Sequence, residues 1–415
     1  MSKNLNTESE KPSTTSSQEV VLLRSYQKTI VIRDGKVYEN NTEVTELAPS
    51  SDSNPLAGDK PDDPTARGYQ LVRSHYKKLI SSPFENVVVL TGAGTSKSSG
   101  GKVMAELWEE AFPGAKKSDN DKFFKSINFQ VPTSDEQKNL EELLSQAQKA
   151  IEVLDETVGK EVSQKIKQVE ELIVKACTLQ LTKEAPHLKL LNKITSRKLK
   201  YSRVKVFTLN YDTLFEQAAA EGNYIVVNGF SFSNPSYFNG TFFDYDIVNR
   251  INSRVSKEEN FITKVFHLYK PHGSINWERN DQDKVVSREI TSASKKPLII
   301  YPNSNKYESG YNQPFFEMMS RFQQAVRQPN TLLLCIGFSF GDKHFKNVIH
   351  EAVKSNPGLN LIVAMPGFMG RKSIQELIEM SEKQNNITFI NEDFQNLSEH
   401  YPFSLEYEHD NGEQN

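Results

Sequence analysis

The spacing of apolar residues along the chain predicts two kinds of secondary structure in alternation. Short, almost continuous apolar runs, of which Leu332–Ile336 is the clearest, are each followed by a helical pattern over most of the second half. Strands that are apolar on both faces and separated by helices are typical of a parallel sheet covered on both sides. The pattern therefore predicts a doubly wound, Rossmann-like α/β fold with a mainly parallel sheet.

The same pattern gives approximate bounds for the elements of this fold. Strands are predicted at 86–90, 203–209, 223–228, 263–269, 297–301, 331–336, 359–365 and 386–390. Helices between them are predicted at 68–80, 102–112, 342–354 and 371–383.

The α/β alternation stops between about residues 115 and 200. Apolar residues from Leu140 to Ile173 recur every three or four positions, as on one face of an amphipathic helix. Ser134 and Gln137 form a candidate capping box at the start of this pattern. We therefore expect a helical insertion whose apolar face packs on the body of the protein, with an oligomer or partner surface as the alternative.

The N-terminal part of the chain has a different pattern. Residues 1–18 are rich in Ser, Thr, Asn and charge and are expected to be a disordered tail. Apolar runs on either side of Asp34-Gly35 predict a hairpin, and hence a small N-terminal β-element at 19–47. Residues 48–66, rich in Pro, Ser and Asp, are expected to be a linker. The remaining segments are the α/β domain, at 67–114 and 201–400, and a C-terminal tail at 401–415.

Composition and charge exclude several classes of protein. The chain has 415 residues with 50 Lys and Arg against 53 Asp and Glu, a formal net charge of −3, so no global positive field favours nucleic-acid binding. Its two cysteines, Cys177 and Cys335, cannot form a zinc ribbon or a disulfide framework. The chain shows neither a signal peptide nor an apolar run of membrane-spanning length. We expect a cytoplasmic protein that neither binds nucleic acid directly and sequence-specifically nor associates with a membrane.

A glycine turn follows the first strand of the predicted sheet. Residues 92–96, Gly-Ala-Gly-Thr-Ser, come directly after an apolar run and precede a helical pattern. Glycines let the backbone approach a diphosphate, and the amides at a helix N-terminus attract it. Lys97 stands where a dinucleotide fingerprint has its third glycine, so an ordinary dehydrogenase is disfavoured. A tight turn without a ligand is the alternative.

Polar residues also follow two later strands. Asn210 and Asp212 come after the strand that ends near Leu209, at a carboxyl end, where ligands bind in open α/β sheets. Helix capping is the alternative role for both. His272 follows the next long strand and has the side chain best suited to a general base near neutral pH. His267, inside that strand, is expected to be structural.

A further motif lies between a late strand and the helix after it. Residues 337–341, Gly-Phe-Ser-Phe-Gly, fit the Gly-x-Ser-x-Gly nucleophile elbow around Ser339. Asp393 and either His400 or His409 follow in the order of a catalytic triad. A serine hydrolase is therefore one alternative function.

The glycine turn, Asn210-Tyr211-Asp212 and His272-Gly occur in an order that resembles the sirtuin superfamily over roughly residues 85–345. Gly100-Gly101-Lys102 stands where deacetylating sirtuins have Ile-Pro-Asp-Phe-Arg, Leu209 replaces a Gln, and the four cysteines of their zinc ribbon are absent. The chain is therefore more similar to bacterial sirtuin-like proteins that hydrolyse NAD+ in antiphage defence. Its size and insertion are most similar to the type that assembles with a HerA-like ATPase.

This resemblance implies an NAD+ glycohydrolase that cleaves NAD+ to nicotinamide and ADP-ribose, with NAD+ as substrate and no metal. Asn210 is implied to orient the ribose or the attacking water, Asp212 to face the nicotinamide amide, and His272 to act as general base. The residues implied to bind the dinucleotide are Gly92, Ala93, Gly94, Thr95, Ser96, Gly337, Ser339 and Asp342.

Within that set, the glycine loop is implied to hold the diphosphate through backbone amides and the Ser96 hydroxyl. Ser339 and Asp342 are implied to contact the adenosine side or to cap the following helix. We further expect a homo-oligomer whose activity depends on assembly, with the N-terminal β-element and the insertion as contact surfaces and a HerA-like ATPase as partner. A non-catalytic module that senses NAD+ or ADP-ribose is the second alternative.

Overall fold

The computed structural model describes residues 19–46, 63–114, 117–249, 261–300 and 313–403. An eleven-stranded sheet runs through this part of the chain, accompanied by a two-stranded and a three-stranded sheet. The strands are β1 (Glu19–Ser25), β2 (Thr29–Arg33), β3 (Lys36–Glu39), β4 (Thr42–Glu43), β5 (Asn86–Thr91), β6 (Lys205–Thr208), β7 (Ile225–Val227), β8 (Ser236–Tyr237), β9 (Val265–Tyr269), β10 (Gly273–Ser274), β11 (Trp277–Arg279), β12 (Val285–Ser287), β13 (Leu298–Ile299), β14 (Thr331–Ile336), β15 (Leu359–Ala364) and β16 (Ile387–Ile390).

Seven parallel strands form the centre of the large sheet, in the order β16-β15-β14-β5-β6-β9-β7. Val88 and Leu333 belong to a hydrophobic core on one face, and Val89 and Leu332 to a second core on the other. Burial on both faces explains the continuous apolar runs in the sequence. The predicted Rossmann-like α/β class, with a mainly parallel sheet, is confirmed.

The chain changes its direction of winding between β5 and β14. After β5 the sheet grows through β6 and β9, whereas β14, β15 and β16 are added on the opposite side. The boundary between β5 and β14 is therefore a topological switch point, and a crevice outside the carboxyl ends of the strands is expected there.

Helices cover the sheet and form the insertion. They are α1 (Pro64–Ile80), α2 (Met104–Ala111), α3 (Lys117–Ser126), α4 (Leu140–Ile151), α5 (Glu156–Cys177), α6 (Pro186–Thr195), α7 (Leu214–Glu221), α8 (Phe315–Arg327), α9 (Lys343–Ser355), α10 (Gln375–Ser381) and α11 (Phe394–His400). In the described part of the chain, none of the helices combines the length and the apolar character that crossing a membrane requires.

The strand predicted at 297–301 does not join the large sheet. Only Leu298–Ile299 is extended, and it pairs antiparallel with β10 in the separate two-stranded sheet. Pro297 precedes this short run and has no backbone N–H, which disfavours a place inside a sheet. This prediction was therefore wrong about the sheet to which the segment belongs.

The N-terminal β-element extends the large sheet. Strands β1 to β4 form an antiparallel meander, and β1 pairs antiparallel with β16 at the edge of the parallel strands. Asp34 and Gly35 form the predicted turn, both with positive φ. Helix α1 begins at Pro64, with Asp63 as its N-cap, inside the segment that we expected to be linker. The predicted N-terminal tail and most of the linker lie outside the described residues.

The apolar stripe of the insertion is carried by two helices. Helix α4 ends at Ile151, and α5 begins after Asp155, whose side chain accepts from two amides of its first turn. The capping box predicted at Ser134 is wrong, because Asn139 caps α4 and Ser134 precedes only a short 3₁₀ turn. Gln137 instead accepts from the backbone N–H of Thr133 at 2.8 Å.

The stripe packs partly on the predicted α/β domain and partly inside the insertion. Leu143 and Val162 are buried together with Trp108 of α2, within 67–114, and Phe124 of α3 in a third hydrophobic core, against which Tyr211 packs. Helix α6 instead contributes Leu190 and Leu191 to the core of the sheet. Helices α2 to α5 thus form a module with its own core, which includes the end of the predicted body.

Candidate active site

Four loops carrying predicted site residues meet at the carboxyl ends of β14, β5, β6 and β9. Gly337 follows β14, Gly92 follows β5, Asn210 follows β6, and His272 follows β9. Strands β14, β5, β6 and β9 are consecutive in the sheet, so the four loops share one edge. This edge includes the switch point between β5 and β14, where ligands bind in open α/β sheets.

The glycine loop packs directly on the loop after β14. The amide of Gly94 donates to the carbonyl of Gly337 at 3.0 Å. A Cβ atom on Gly94 would lie 2.7 Å from the Cα of Gly337, and one on Gly337 would lie 2.8 Å from the Cα of Gly94. Glycine is required at both positions because the two backbones touch.

The glycine loop opens a 3₁₀ turn, Ala93–Ser99, whereas we expected it to open the helix that follows. Three of its amides already have backbone partners: Gly92 donates to Ile336, Gly94 to Gly337, and Thr95 to the carbonyl of Gly92. The amides implied to grip a diphosphate are thus largely engaged in this conformation. A phosphate that accepted hydrogen bonds from these amides would have to separate the glycine loop from the loop after β14.

The loop after β14 holds unusual backbone conformations. Gly337 and Phe340 both have a φ of 58°, in the left-handed region. Phe340 is nevertheless almost fully buried and its ring packs tilted on Phe338, with 4.6 Å between centroids. A bulky residue in this region costs on the order of 1–3 kcal/mol, and such strain occurs preferentially at functional sites.

Asn210, Ser96 and Asp212 form a hydrogen-bonded chain between the β5 and β6 loops. The Nδ2 of Asn210 donates to the Oγ of Ser96 at 2.8 Å, and this Oγ donates to the Oδ2 of Asp212 at 2.6 Å. Nδ2 also lies 3.1 Å from the carbonyl of Gly92. The Oδ1 of Asp212 accepts from the amide of Leu214 at 3.1 Å, at the start of α7, although the N-cap of that helix is Thr213.

His272 is paired with Asp342 across the edge of the sheet. The Nε2 of His272 lies 3.0 Å from the Oδ2 of Asp342, and both side chains are more than nine-tenths buried. The other oxygen of Asp342 accepts from the amides of His344 at 2.8 Å and Phe345 at 3.2 Å, which caps α9. Asp342 is thus held rigidly by the helix that it caps and can orient the imidazole. The resemblance had implied that it contacts the adenosine side or caps this helix.

A buried lysine that is not among the predicted site residues lies between these groups. Lys270 is 1% exposed, and its Nζ donates to the Oγ of Ser274 at 2.7 Å and to the carbonyl of Asp212. It also forms an ion pair with Glu216 at 3.1 Å. A charged residue at the end of a buried strand, two positions before a candidate catalytic histidine, is the signal that could have identified it.

Other ionisable groups near the site are held neutral by burial. Burial raises the pKa of Cys177 to about 12, with a smaller contribution from the charge of Asp212, so its thiol is not a nucleophile at neutral pH. Burial lowers the pKa of His267 to about 4, as does the nearby charge of Lys205. His267 lies inside β9 with its Nδ1 3.2 Å from the hydroxyl of Tyr269, a structural position.

The residues of the serine-hydrolase alternative are not brought together. The backbone N–H of Gly341 donates weakly to the Oγ of Ser339, at 3.4 Å. Asp393 caps α11, and the Nδ1 of His400 contacts the carbonyl of Asn396 at 2.8 Å in that same helix. His409 lies outside the described residues. The described triad candidates therefore make local helix contacts instead of contacts with Ser339.

The described residues contain no group of three His, Cys, Asp or Glu side chains that could hold a metal ion. A surface cavity of about 580 Å³ lies elsewhere, next to the three-stranded sheet, with Tyr237, Phe242 and Arg279 in its lining. None of the predicted site residues lines that cavity. At the sheet edge, the polar side chains of the candidate site form two hydrogen-bonded groups, Asn210-Ser96-Asp212 and His272-Asp342.

Comparison with known families gives one match to part of the chain. Residues 204–390 match the model of the SIR2-like domain. The matched range includes Asn210, Asp212, His272 and Asp342, but not the glycine loop, so the sirtuin resemblance is confirmed at the level of a SIR2-like domain. No curated protein matches the chain.

Solved structures of Sir2 are similar over most of the chain at low identity. One is Sir2 bound to an acetylated peptide, with 12% identity, a TM-score of 0.38, and coverage of 79% of this chain and 95% of that chain. Another is Sir2 with a p53 peptide and NAD+, with 11% identity, a TM-score of 0.38, and coverage of 78% and 95%.

Proposed function

We propose that the protein is an NAD+ glycohydrolase, which converts NAD+ and water to nicotinamide and ADP-ribose. The observation that carries this proposal is the joint position of Asn210, Asp212 and the His272–Asp342 pair on one sheet edge, within a SIR2-like domain. An amide and a carboxylate can hydrogen-bond to the substrate, and an oriented imidazole can accept a proton from water.

The reaction breaks the bond between the C1′ of the ribose and the nicotinamide nitrogen, and the bonding electrons leave with neutral nicotinamide. Water adds to C1′ through an oxocarbenium-like transition state and loses one proton. In our proposal Asn210 orients the ribose or this water, and Asp212 accepts a hydrogen bond from the nicotinamide amide. His272 takes the proton, a role worth about 10²–10⁴ in rate.

Asp342 supports His272 in this scheme. Its Oδ2 faces the Nε2 of the imidazole at 3.0 Å, while its Oδ1 is fixed by two amides of α9. A carboxylate in this position holds the ring in one orientation and stabilises the imidazolium that forms when the base is protonated.

The dinucleotide would enter at the contact between the glycine loop and the loop after β14. Gly92, Ala93, Gly94, Thr95 and Ser96 are the proposed diphosphate ligands, and Gly337 and Ser339 line the opposing loop. Because Gly94 donates to Gly337 and Thr95 to Gly92, binding requires these hydrogen bonds to be exchanged for bonds to phosphate. The closed site, with Asp212 and His272 each less than one-tenth exposed, is consistent with a low basal rate.

A low basal rate suits an enzyme whose product is loss of NAD+, because a constitutive activity would harm the cell that makes it. We therefore propose a defence enzyme that acts in a homo-oligomer, with a HerA-like ATPase as partner and with the N-terminal strands and the α2–α5 module as contact surfaces. Nicotinamide release per protomer should then rise with protein concentration or on adding the partner. A full rate in the dilute monomer would contradict this regulation.

The proposed activity is tested by chromatography of NAD+ incubated with the purified protein, alone and with its partner. Wild type is expected to release nicotinamide and ADP-ribose in equal amounts, and His272→Ala and Asn210→Ala to release almost none. His400→Ala is the matched control, since the Nδ1 of His400 contacts the carbonyl of Asn396 within α11. Stoichiometric binding of ADP-ribose in calorimetry without any nicotinamide release would instead indicate a sensing module. Labelling of Ser339 by a fluorophosphonate would indicate a serine hydrolase.

A further inference from the structure

Lys270 is a charged residue that is buried beside the candidate site. The residue is 1% exposed and lies between the end of β9 and His272. Removing an ammonium group from water costs several kcal/mol unless strong partners replace the lost hydration. Its contacts should therefore show what the charge does.

The protons of the ammonium group are directed at three different segments. Nζ donates to the carbonyl of Asp212 in the loop after β6 and to the Oγ of Ser274, at 2.7 Å, in β10, directly after the His272 loop. Its third partner is the carboxylate of Glu216 on α7, at 3.1 Å. The carbonyl of Tyr211 lies at the limit of hydrogen bonding, 3.5 Å. Lys270 thus joins the loop of Asn210 and Asp212 to the loop of His272.

The same two loops are held together by a second layer of bonds around Lys270. The amide of Ile275 donates to the carbonyl of Tyr211 at 3.0 Å, and the Oγ of Ser274 donates to the Oδ1 of Asn276 at 2.7 Å. This arrangement directs the Ser274 hydroxyl proton away from Lys270, so Ser274 accepts from the ammonium group. The Ser274 hydroxyl and the Asp212 carbonyl thus both present an acceptor to the lysine charge.

The Glu216 carboxylate uses one oxygen for the ion pair. Only its Oε1 contacts Lys270, whereas its buried Oε2 has no hydrogen-bond partner among the described residues. A lysine ammonium group is a compact charge with three donors. One contact with Glu216 therefore neutralises the charge and leaves donors for the two loops.

We propose that Lys270 is a positioning residue, which holds the Asn210–Asp212 loop and the His272–Ser274 loop at the separation that turnover requires. It contacts neither substrate nor reacting atoms and acts through Asp212 and His272. This inference rests on the proposed NAD+ hydrolysis for its kinetic consequence, but its structural consequence can be measured independently.

The test compares Lys270→Met with the double variant Lys270→Met/Glu216→Met. The single variant leaves a buried carboxylate without its partner and is expected to lower the melting temperature. The double variant removes both charges and should recover much of that loss, because apolar replacement of a buried pair is often neutral or stabilising. Lys264→Met is the matched control, since Lys264 donates to the carbonyl of Gly222, at 2.9 Å, outside the two loops.

The folded double variant is expected to keep kcat lowered by about 10²-fold, the usual cost of displacing catalytic groups by about 1 Å. Its KM is expected to stay near the wild-type value, since the glycine loop that we propose binds the dinucleotide is untouched. Amide hydrogen exchange at 210–214 and 273–276 should be faster in the double variant than in the wild type. Lys264→Met should leave kcat and exchange at both loops unchanged.

Two results would overturn the inference. A double variant with wild-type kcat would show that the pair serves stability alone. Unchanged exchange at both loops would show that Lys270 does not hold them, whatever the activity. Absence of nicotinamide release by the assembled wild type, together with faster exchange in the double variant, would refute the proposed function while leaving the positioning of the loops established.

Discussion

Replacing Asp342 by Asn separates the two roles of that carboxylate. Its Oδ1 accepts from two amides of α9, and its Oδ2 lies 3.0 Å from the Nε2 of His272. Asn is as good an N-cap as Asp, so the loss of charge at the helix end should cost less than about 1 kcal/mol of unfolding free energy. The variant should therefore fold normally while the imidazole loses its anionic partner.

The size of the kinetic effect follows from the lost charged hydrogen bond. A hydrogen bond to a charged group contributes about 1.5–3 kcal/mol, and each 1.36 kcal/mol changes a rate tenfold. Asp342→Asn is therefore expected to lower kcat/KM for NAD+ by about 10- to 150-fold. This loss does not exceed the rate enhancement of about 10²–10⁴ that a general base contributes in total.

The assay is chromatographic release of nicotinamide at low NAD+ concentration, with thermal unfolding as the check on folding. Asp393→Asn is the matched control, since Asp393 caps α11 through the amide of Asn396 without touching His272. Because Asp342 acts through His272, adding Asp342→Asn to His272→Ala should cause no further loss. The reasoning is refuted if Asp342→Asn alone stays within about twofold of wild type, or if the two losses multiply.

Two further predictions concern the glycine loop and the stability of the fold. Gly94→Ala places a Cβ 2.7 Å from the Cα of Gly337 and should weaken ADP-ribose binding in calorimetry by about tenfold. Gly370→Ala is the control, because its Cβ lies in open space, and it should leave the affinity unchanged. Equal affinities of the two variants for ADP-ribose would contradict the proposed site. Burial lowers the pKa of His187 to about 4, against about 6.5 in an unfolded chain. Between these pH values the unfolded state binds more protons than the folded state. The free energy of unfolding should therefore fall by about 3 kcal/mol as the pH drops from 6.5 to 4. His187→Phe should remove this part of the acid sensitivity in urea unfolding, and an unchanged pH dependence would be inconsistent with a neutral buried histidine.

The positions at which the strands beside the site end could be predicted, because they depend on the local sequence. Apolar runs that stop at Leu90 and Leu209 are followed at once by Gly92 or Asn210, and a parallel sheet brings such ends to one edge. The same reasoning failed for 297–301, where Pro297 and the short length of the run leave too few amides for a strand of the large sheet.

The pairing of His272 with Asp342 could not be predicted from the sequence. The two residues follow β9 and β14, which are not neighbours in the sheet, and their contact depends on how far each loop extends over the edge. The cap of α9 was foreseeable from Asp342 alone, but its second oxygen meets His272 only in the folded protein.

Lys270 and the insertion illustrate the same limit. The place of Lys270, two residues before His272, could have drawn attention to it. Because lysine is usually exposed, the sequence does not show that it is buried or that Glu216 on α7 matches its charge. The apolar stripe of the insertion specifies a face to be buried but not its partner. That partner is α2, from the predicted α/β domain, together with α3 of the insertion, through Trp108 and Phe124.

The central claim is that the groups at the sheet edge break the bond between nicotinamide and ribose. It is tested most directly by following NAD+, nicotinamide and ADP-ribose together over time with the assembled protein and with its Asn210→Ala variant. The account predicts that the wild type converts NAD+ to equal amounts of the two products and that the variant leaves NAD+ intact. Intact NAD+ in the presence of the assembled wild type, or equal turnover by Asn210→Ala, would contradict it.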